Sequence, residues 1–195
     1  MGQLSERSAG AARDHLRRTP VWLLPALLTL TVTVTGLGSA QLWRDELATW
    51  SAATRSPADL ARLAGTIDAA TGPYYLLMHG WTTVAGDSTM ALRLPAVLAM
   101  TVAAGLLAVL GGRLVSRRGG LFAGLLFAVL PGTSRYGQEA RPYALATMLA
   151  ILATVLLVTA LRRRTRRAAR QPARRPLRRA AVRGAPRHLP LRAGG

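Results

Sequence analysis

The sequence predicts an all-α integral membrane protein with four transmembrane helices, short interfacial helices in the first external loop and a disordered arginine-rich tail. Composition and charge placement lead there together. Half of the 195 residues are apolar, yet 26 basic residues against 8 acidic ones give a net charge of +18. Those two properties conflict in a soluble globule, so they must occupy different stretches of chain. Every basic residue is arginine and cysteine is absent, which excludes a disulfide scaffold and a thiolate metal site. Three scattered histidines argue against a histidine-rich metal centre.

The charge-free intervals locate the membrane helices. No charge falls between Arg18 and Arg44, a run of 25 residues, and the gaps Arg93 to Arg113, Arg118 to Arg135 and Arg141 to Arg162 leave 19, 16 and 20. At ~1.5 Å rise per residue, ~20 apolar residues cross a ~30 Å hydrocarbon core. Residues 21–40, 94–112 and 142–161 therefore read as spans. Residues 119–133 are fewer, but GLFAGLLFAVL is apolar all round and reads as a fourth, short or packed against its neighbours. Buried helices of a soluble core are the competing reading, and four such runs leave too little polar surface to cover them.

Arginine distribution then sets the orientation. With four spans, every arginine-rich segment falls on the cytoplasmic side. These are the N-terminal arm 1–19, the loop 113–118, and the tail 162–195 with 13 arginines and no acid. Loops 41–92 and 134–141 fall outside, so a multi-pass protein of the plasma membrane with both termini cytoplasmic is expected. Arg17-Arg18, the apolar run and Gly38-Ser39-Ala40 imitate a cleavable signal peptide, but the run exceeds the roughly 7–15 residues of such a segment.

The loop 41–92 holds most of the potential chemistry. Trp43 suits an interface anchor at the end of the first span. Asp45 and Glu46 follow at the headgroup level, and 47–53 looks helical. Ser56 as N-cap and Pro57 at the first position predict a second short helix over 57–65. After Asp68, Gly72-Pro73 breaks the chain. His79, Gly80, Thr82 and Thr83 interrupt the next apolar run, which suits an interfacial helix better than a span. Asp87-Ser88 then starts the helix that carries Arg93 into the membrane. The second external loop sets Arg135, Glu139 and Arg141 within eight residues and could meet the first loop above the bundle. No phosphate-binding glycine loop, dinucleotide fingerprint or nucleophile elbow is present, so a phosphorylated substrate would be met at the membrane face.

Taken in order, Trp43-Arg44-Asp45-Glu46, Asp68 before Tyr74-Tyr75-Leu76-Leu77-Met78-His79, Ala91-Leu92-Arg93-Leu94-Pro95, and Gln138-Glu139-Ala140-Arg141-Pro142-Tyr143 form a pattern. It resembles the N-terminal part of membrane glycosyltransferases of the GT-C type, in the branch similar to protein O-mannosyltransferases, over residues 20–161. The resemblance implies inverting transfer of a sugar, mannose among the candidates, from a polyprenyl-phosphate carrier to a hydroxyl of a protein or glycan at the outer membrane face. It implies Asp45 as general base, Glu46 as its orienting partner, Asp68 as an acceptor-binding acid, and Arg93 as a cation at the carrier phosphate. Glu139 and Arg141 are implied in substrate binding. The residues identify no cofactor; a divalent cation could bridge the carrier phosphate, although no dedicated metal-ligand set is visible. Relatives often carry histidine where Thr71 stands, and they have many more spans.

Residues 162–195 change character to arginine, alanine, proline, leucine and glycine. They read as disordered. A polybasic segment on anionic membrane lipid is one reading. A nucleic-acid tail is disfavoured because no aromatic residues interleave the arginines. A truncated or frame-shifted reading of a longer gene is the third, since GC-rich codons give these residues in any frame. The rival to catalysis is thus a membrane protein that binds anionic lipid or a partner protein through this tail.

Overall fold

The computed structural model describes residues 20–64 and 70–170. Among these there is no strand. The helices are α1 (Leu23–Val34), α2 (Arg44–Ala53), α3 (Pro57–Ala64), α4 (Gly72–Ala85), α5 (Thr89–Leu114), α6 (Arg117–Val129), α7 (Pro131–Gly137) and α8 (Tyr143–Arg170). The N-terminal arm 1–19, Asp68 and the tail from residue 171 lie outside the described residues. The chain divides into a compact unit up to Thr159 and a second from Ala160. What is described of the second is helical to Arg170, so the basic segment begins as helix where the sequence predicted disorder from residue 162.

Two helices are long and apolar enough to cross a membrane, not the four expected: Thr89–Leu114 and Tyr143–Thr165. The other two expected spans are cut short for local reasons. Helix α1 has 12 residues, about 18 Å at the usual rise. It ends where Thr35 turns extended and Gly36 takes φ +77°, a left-handed conformation that side chains resist. The hydroxyls of Thr29, Thr31, Thr33 and Thr35 all donate to the carbonyl four residues back, which satisfies their polarity inside an apolar helix. Helix α6 has 13 residues. Ser116 caps its start by accepting from Gly119 N at 3.1 Å, and Pro131 ends it by forcing Leu130 to an extended ψ of 132°. The chain then re-enters a helix, α7, with Pro131 at its first position. The predicted loop 134–141 is therefore half helix.

Helix α5 is the centre of the first unit. Half of its membrane-length window is buried, against 11% for α8. Helices α1 and α6 pack on α5 and on each other. The α5–α6 pair is antiparallel and close, because both sides are built of glycine. A Cβ on Gly120 would collide with the Ala108 carbonyl and the Gly112 backbone, and one on Gly124 would lie 2.9 Å from the Ala108 Cβ. Helix α8 leaves Leu149, Leu156 and Leu157 exposed, which suits a hydrocarbon surrounding.

The loop 41–92 folds as anticipated into short helices rather than a separate domain. Helices α2, α3 and α4 share a core of Ala52, Ala53, Leu60, Tyr74, Tyr75 and Met78, which continues onto Leu92 of α5 and Ala140. One tie between α4 and α5 follows from a proline. Pro95 has no N–H, so the carbonyl of Ala91 loses its helical donor. Trp81 Nε1 takes that carbonyl at 2.8 Å.

Candidate active site at the head of α2 and α5

Helix α2 begins at the first charged cluster after α1. Trp43 is extended, and Glu46 reaches back so that its Oε2 accepts from Trp43 N at 3.4 Å, a long capping contact that orients the first turn. Helix α5 begins at Ser88, whose hydroxyl accepts from Ala91 N at 3.2 Å. That start places Arg93 about one turn into the helix, facing α2.

Glu46 and Arg93 meet in the interior. Arg93 Nε donates to Glu46 Oε1 at 2.8 Å and one terminal nitrogen donates to Oε2 at 2.7 Å, a bidentate pair. The remaining donors go to the carbonyls of Leu37, Ala40 and Gln41 at 2.8, 3.0 and 3.3 Å. The pair is sealed, with side-chain exposures of 0% for Glu46 and 4% for Arg93. Glu46 Oε1 also accepts from Ala140 N at 2.9 Å. Burial pushes the Glu46 carboxyl up, but Arg93 and the backbone donors of Ala140 and Trp43 outweigh it and hold the carboxyl below its ordinary value.

The segment 138–141 is fixed residue by residue. The Gln138 amide donates to the carbonyls of Thr33 and Thr35 at 3.2 and 2.8 Å, which satisfies orphan acceptors at the end of α1. Glu139 accepts from Arg135 Nε at 3.0 Å. Arg141 reaches Asp45 at 3.8 Å and donates to the Tyr143 hydroxyl at 3.3 Å. The Tyr143 contact, and then the Asp45 charge, overcome burial and raise Arg141 further above its ordinary value. Burial pushes the neighbouring Tyr74 hydroxyl well above its ordinary value, so it stays a neutral phenol.

Beside these groups lies a cavity of about 550 Å³. Its walls come from the end of α1 and the following turn (Thr35, Gly36, Ser39, Ala40, Gln41), from Trp43 and Arg93, and from Arg135, Gln138 and Glu139. Asp45 stands two residues along the chain from Trp43, and Arg141 two from Glu139. Asp45 keeps its side chain 62% exposed, so it is the acid of the adjacent pair that a substrate can reach.

Sequence reasoning thus brought together the residues that the structure brings together: Asp45, Glu46, Arg93, Glu139 and Arg141. It differed on Arg93, whose donors are all engaged inside the protein. It named Gln138 and Arg135 in the second external loop without giving either a role. The signal for both was available, since they stand just before the acid of a short loop that joins two apolar runs. Among the described residues no group of three His, Asp or Glu side chains is placed to hold a metal ion.

Residues 72–169, half of the chain, match the family model of the dolichyl-phosphate-mannose-protein mannosyltransferases. The chain belongs to that family. Neither the curated proteins nor the solved structures yielded a match. Membership in this mannosyltransferase family makes the protein a membrane protein with a glycosyltransferase-like function, and its two membrane-length helices agree. The match runs from α4 into α8 and so contains Arg93, Arg135, Glu139 and Arg141; Asp45 and Glu46 precede it.

Proposed function

We propose that this family member transfers a sugar, mannose first among the candidates, from a polyprenyl-phosphate carrier to an acceptor hydroxyl, with inversion at the anomeric carbon. The observation that carries the reading is the division of labour between two adjacent acids. Glu46 is committed to Arg93 and to backbone donors, while Asp45, the next residue in the chain, is exposed and has one loose ionic partner, Arg141 at 3.8 Å.

In this mechanism the acceptor oxygen bonds to the anomeric carbon as its proton passes to an Asp45 oxygen. The bond from that carbon to the phosphate oxygen breaks, and its electron pair leaves on the carrier phosphate. Cations at the cavity stabilise that charge more in the transition state than in the ground state. Glu46 is a positioning residue: it fixes the first turn of α2, hence Asp45, against α5 and the 138–141 segment. Asp68 keeps its proposed role in holding the acceptor.

Orientation follows from the arginines. Both candidate spans begin at the site, and each is followed in sequence by arginines, Arg113, Arg117 and Arg118 in one case and Arg162 to Arg164 in the other. The positive-inside tendency then favours the outer face of the membrane for the site and the cytoplasm for the arginine-bearing ends of α5 and α8.

The test is donor dependence. The protein in lipid nanodiscs is given a hydroxyl-bearing peptide with either polyprenyl-phosphate mannose or a nucleotide-activated mannose. Product from the lipid donor alone is expected. Product from the nucleotide donor alone would overturn the reading.

A further inference from the structure

Three arginines stand at the site, and they differ in how many of their donors remain free. We infer that Arg135 is the residue that binds the phosphate of a lipid-borne donor, in place of Arg93; the inference rests on the proposed glycosyl transfer. Arg93 has every nitrogen engaged, on Glu46 and three backbone carbonyls, and is nearly sealed. A phosphate could reach it only by breaking the buried ion pair. Arg141 is 24% exposed and divides one terminal nitrogen between Tyr143 and Asp45.

Arg135 is arranged differently. Its Nε donates to Glu139, and its guanidinium lies over the Trp43 ring, 5.8 Å from the centroid. Its side chain is 63% exposed and lines the cavity. Among the described residues its terminal nitrogens have no hydrogen-bond partner. Held at Nε and at its face, the guanidinium offers a two-pronged donor fork whose conformational freedom is already reduced, the geometry that suits a phosphate oxyanion. Glu139 does not occupy that fork. It is 12% exposed and meets Arg135 through Nε. Of the other acids at the site, Glu46 is neutralised by Arg93 and Asp45 is met by Arg141 at 3.8 Å, and the carbonyls of Ala40 and Gln41 in the cavity wall are also bonded to Arg93.

The test is binding by the full chain in nanodiscs, with a polyprenyl phosphate, the matching uncharged polyprenol and inorganic phosphate as probes. Wild type is expected to bind the lipid phosphate at least about tenfold tighter than the polyprenol or inorganic phosphate, on the scale of one charge-assisted hydrogen bond. Arg135→Gln is expected to weaken lipid-phosphate binding by roughly 10- to 100-fold. It should leave polyprenol binding unchanged, because the uncharged lipid offers nothing for the fork to hold. Arg135→Lys keeps the charge, loses the fork and should fall between. If wild type binds the lipid phosphate and Arg135→Gln binds it equally well, the assignment to Arg135 is wrong and the transfer reading stands. If inorganic phosphate binds as tightly as the lipid, a free phosphate is the ligand and the lipid assignment is overturned. If wild type binds no lipid phosphate, the transfer reading fails and the inference fails with it.

Discussion

Glu46 and Arg93, 47 residues apart in sequence, form a buried bidentate ion pair that joins the start of α2 to the start of α5. Through Ala140 N the same carboxylate also holds the segment before α8. One side chain thereby fixes three parts of the chain around the cavity. Removing one partner of such a pair leaves an unpaired charge in the interior. Glu46→Gln is expected to destabilise the fold by about 3–5 kcal/mol, read as a lower denaturation midpoint in detergent. Unchanged stability would mean that water reaches Arg93.

The pair also predicts acid sensitivity. The Glu46 carboxyl is held below its ordinary value of 4.5 in the folded protein. A depressed carboxylate stabilises the fold above its unfolded value, and that contribution is lost as pH falls through the lower, folded value. Melting temperature should therefore drop below pH 4.5 in wild type, and the drop should be shallower in Glu46→Gln. Parallel curves for the two proteins would contradict this.

The bond from Trp81 to the Ala91 carbonyl replaces a helical donor that Pro95 removes. Trp81→Phe keeps most of the ring but leaves that carbonyl unpaired. A loss of about 1–3 kcal/mol is expected. Trp81→Phe in a Pro95→Ala background should cost less, because a main-chain donor is restored; a double-mutant cycle measures the difference.

The glycine contact between α5 and α6 leaves no room for a methyl group. Gly120→Ala would drive a Cβ into the backbone of Ala108 and Gly112. Overpacking of this kind costs typically about 1–3 kcal/mol, so a lower melting temperature is expected. Gly80→Ala, where a Cβ would meet nothing within 4 Å, is the control and should not lower it.

Much of this arrangement was legible in the sequence. The short helices of the loop 41–92 announced themselves through Ser56-Pro57, Gly72-Pro73 and Ser88. The charged residues of the site stood out because they interrupt apolar runs. The lengths of α1 and α6 were not legible from charge spacing, which measures where charges stop and not where the backbone turns. Gly36 and Pro131 set those ends, and both lie inside charge-free stretches. Nor could the sequence separate Arg93 from Arg135. Both are arginines next to apolar helices, and only the tertiary partners show that one is enclosed by Glu46 and backbone carbonyls while the other keeps a free fork.

The central claim is that Asp45 takes the acceptor's proton while Glu46 holds it in place. The most direct measurement is single-turnover mannose transfer from the polyprenyl-phosphate donor by wild type and Asp45→Asn, with donor affinity measured in parallel. The account predicts a rate lower by roughly 10²- to 10⁴-fold, with donor affinity and melting temperature little changed. Asp59→Asn, at an exposed acid of α3 paired with Arg62, should match wild type. Transfer by Asp45→Asn at the wild-type rate would contradict the account.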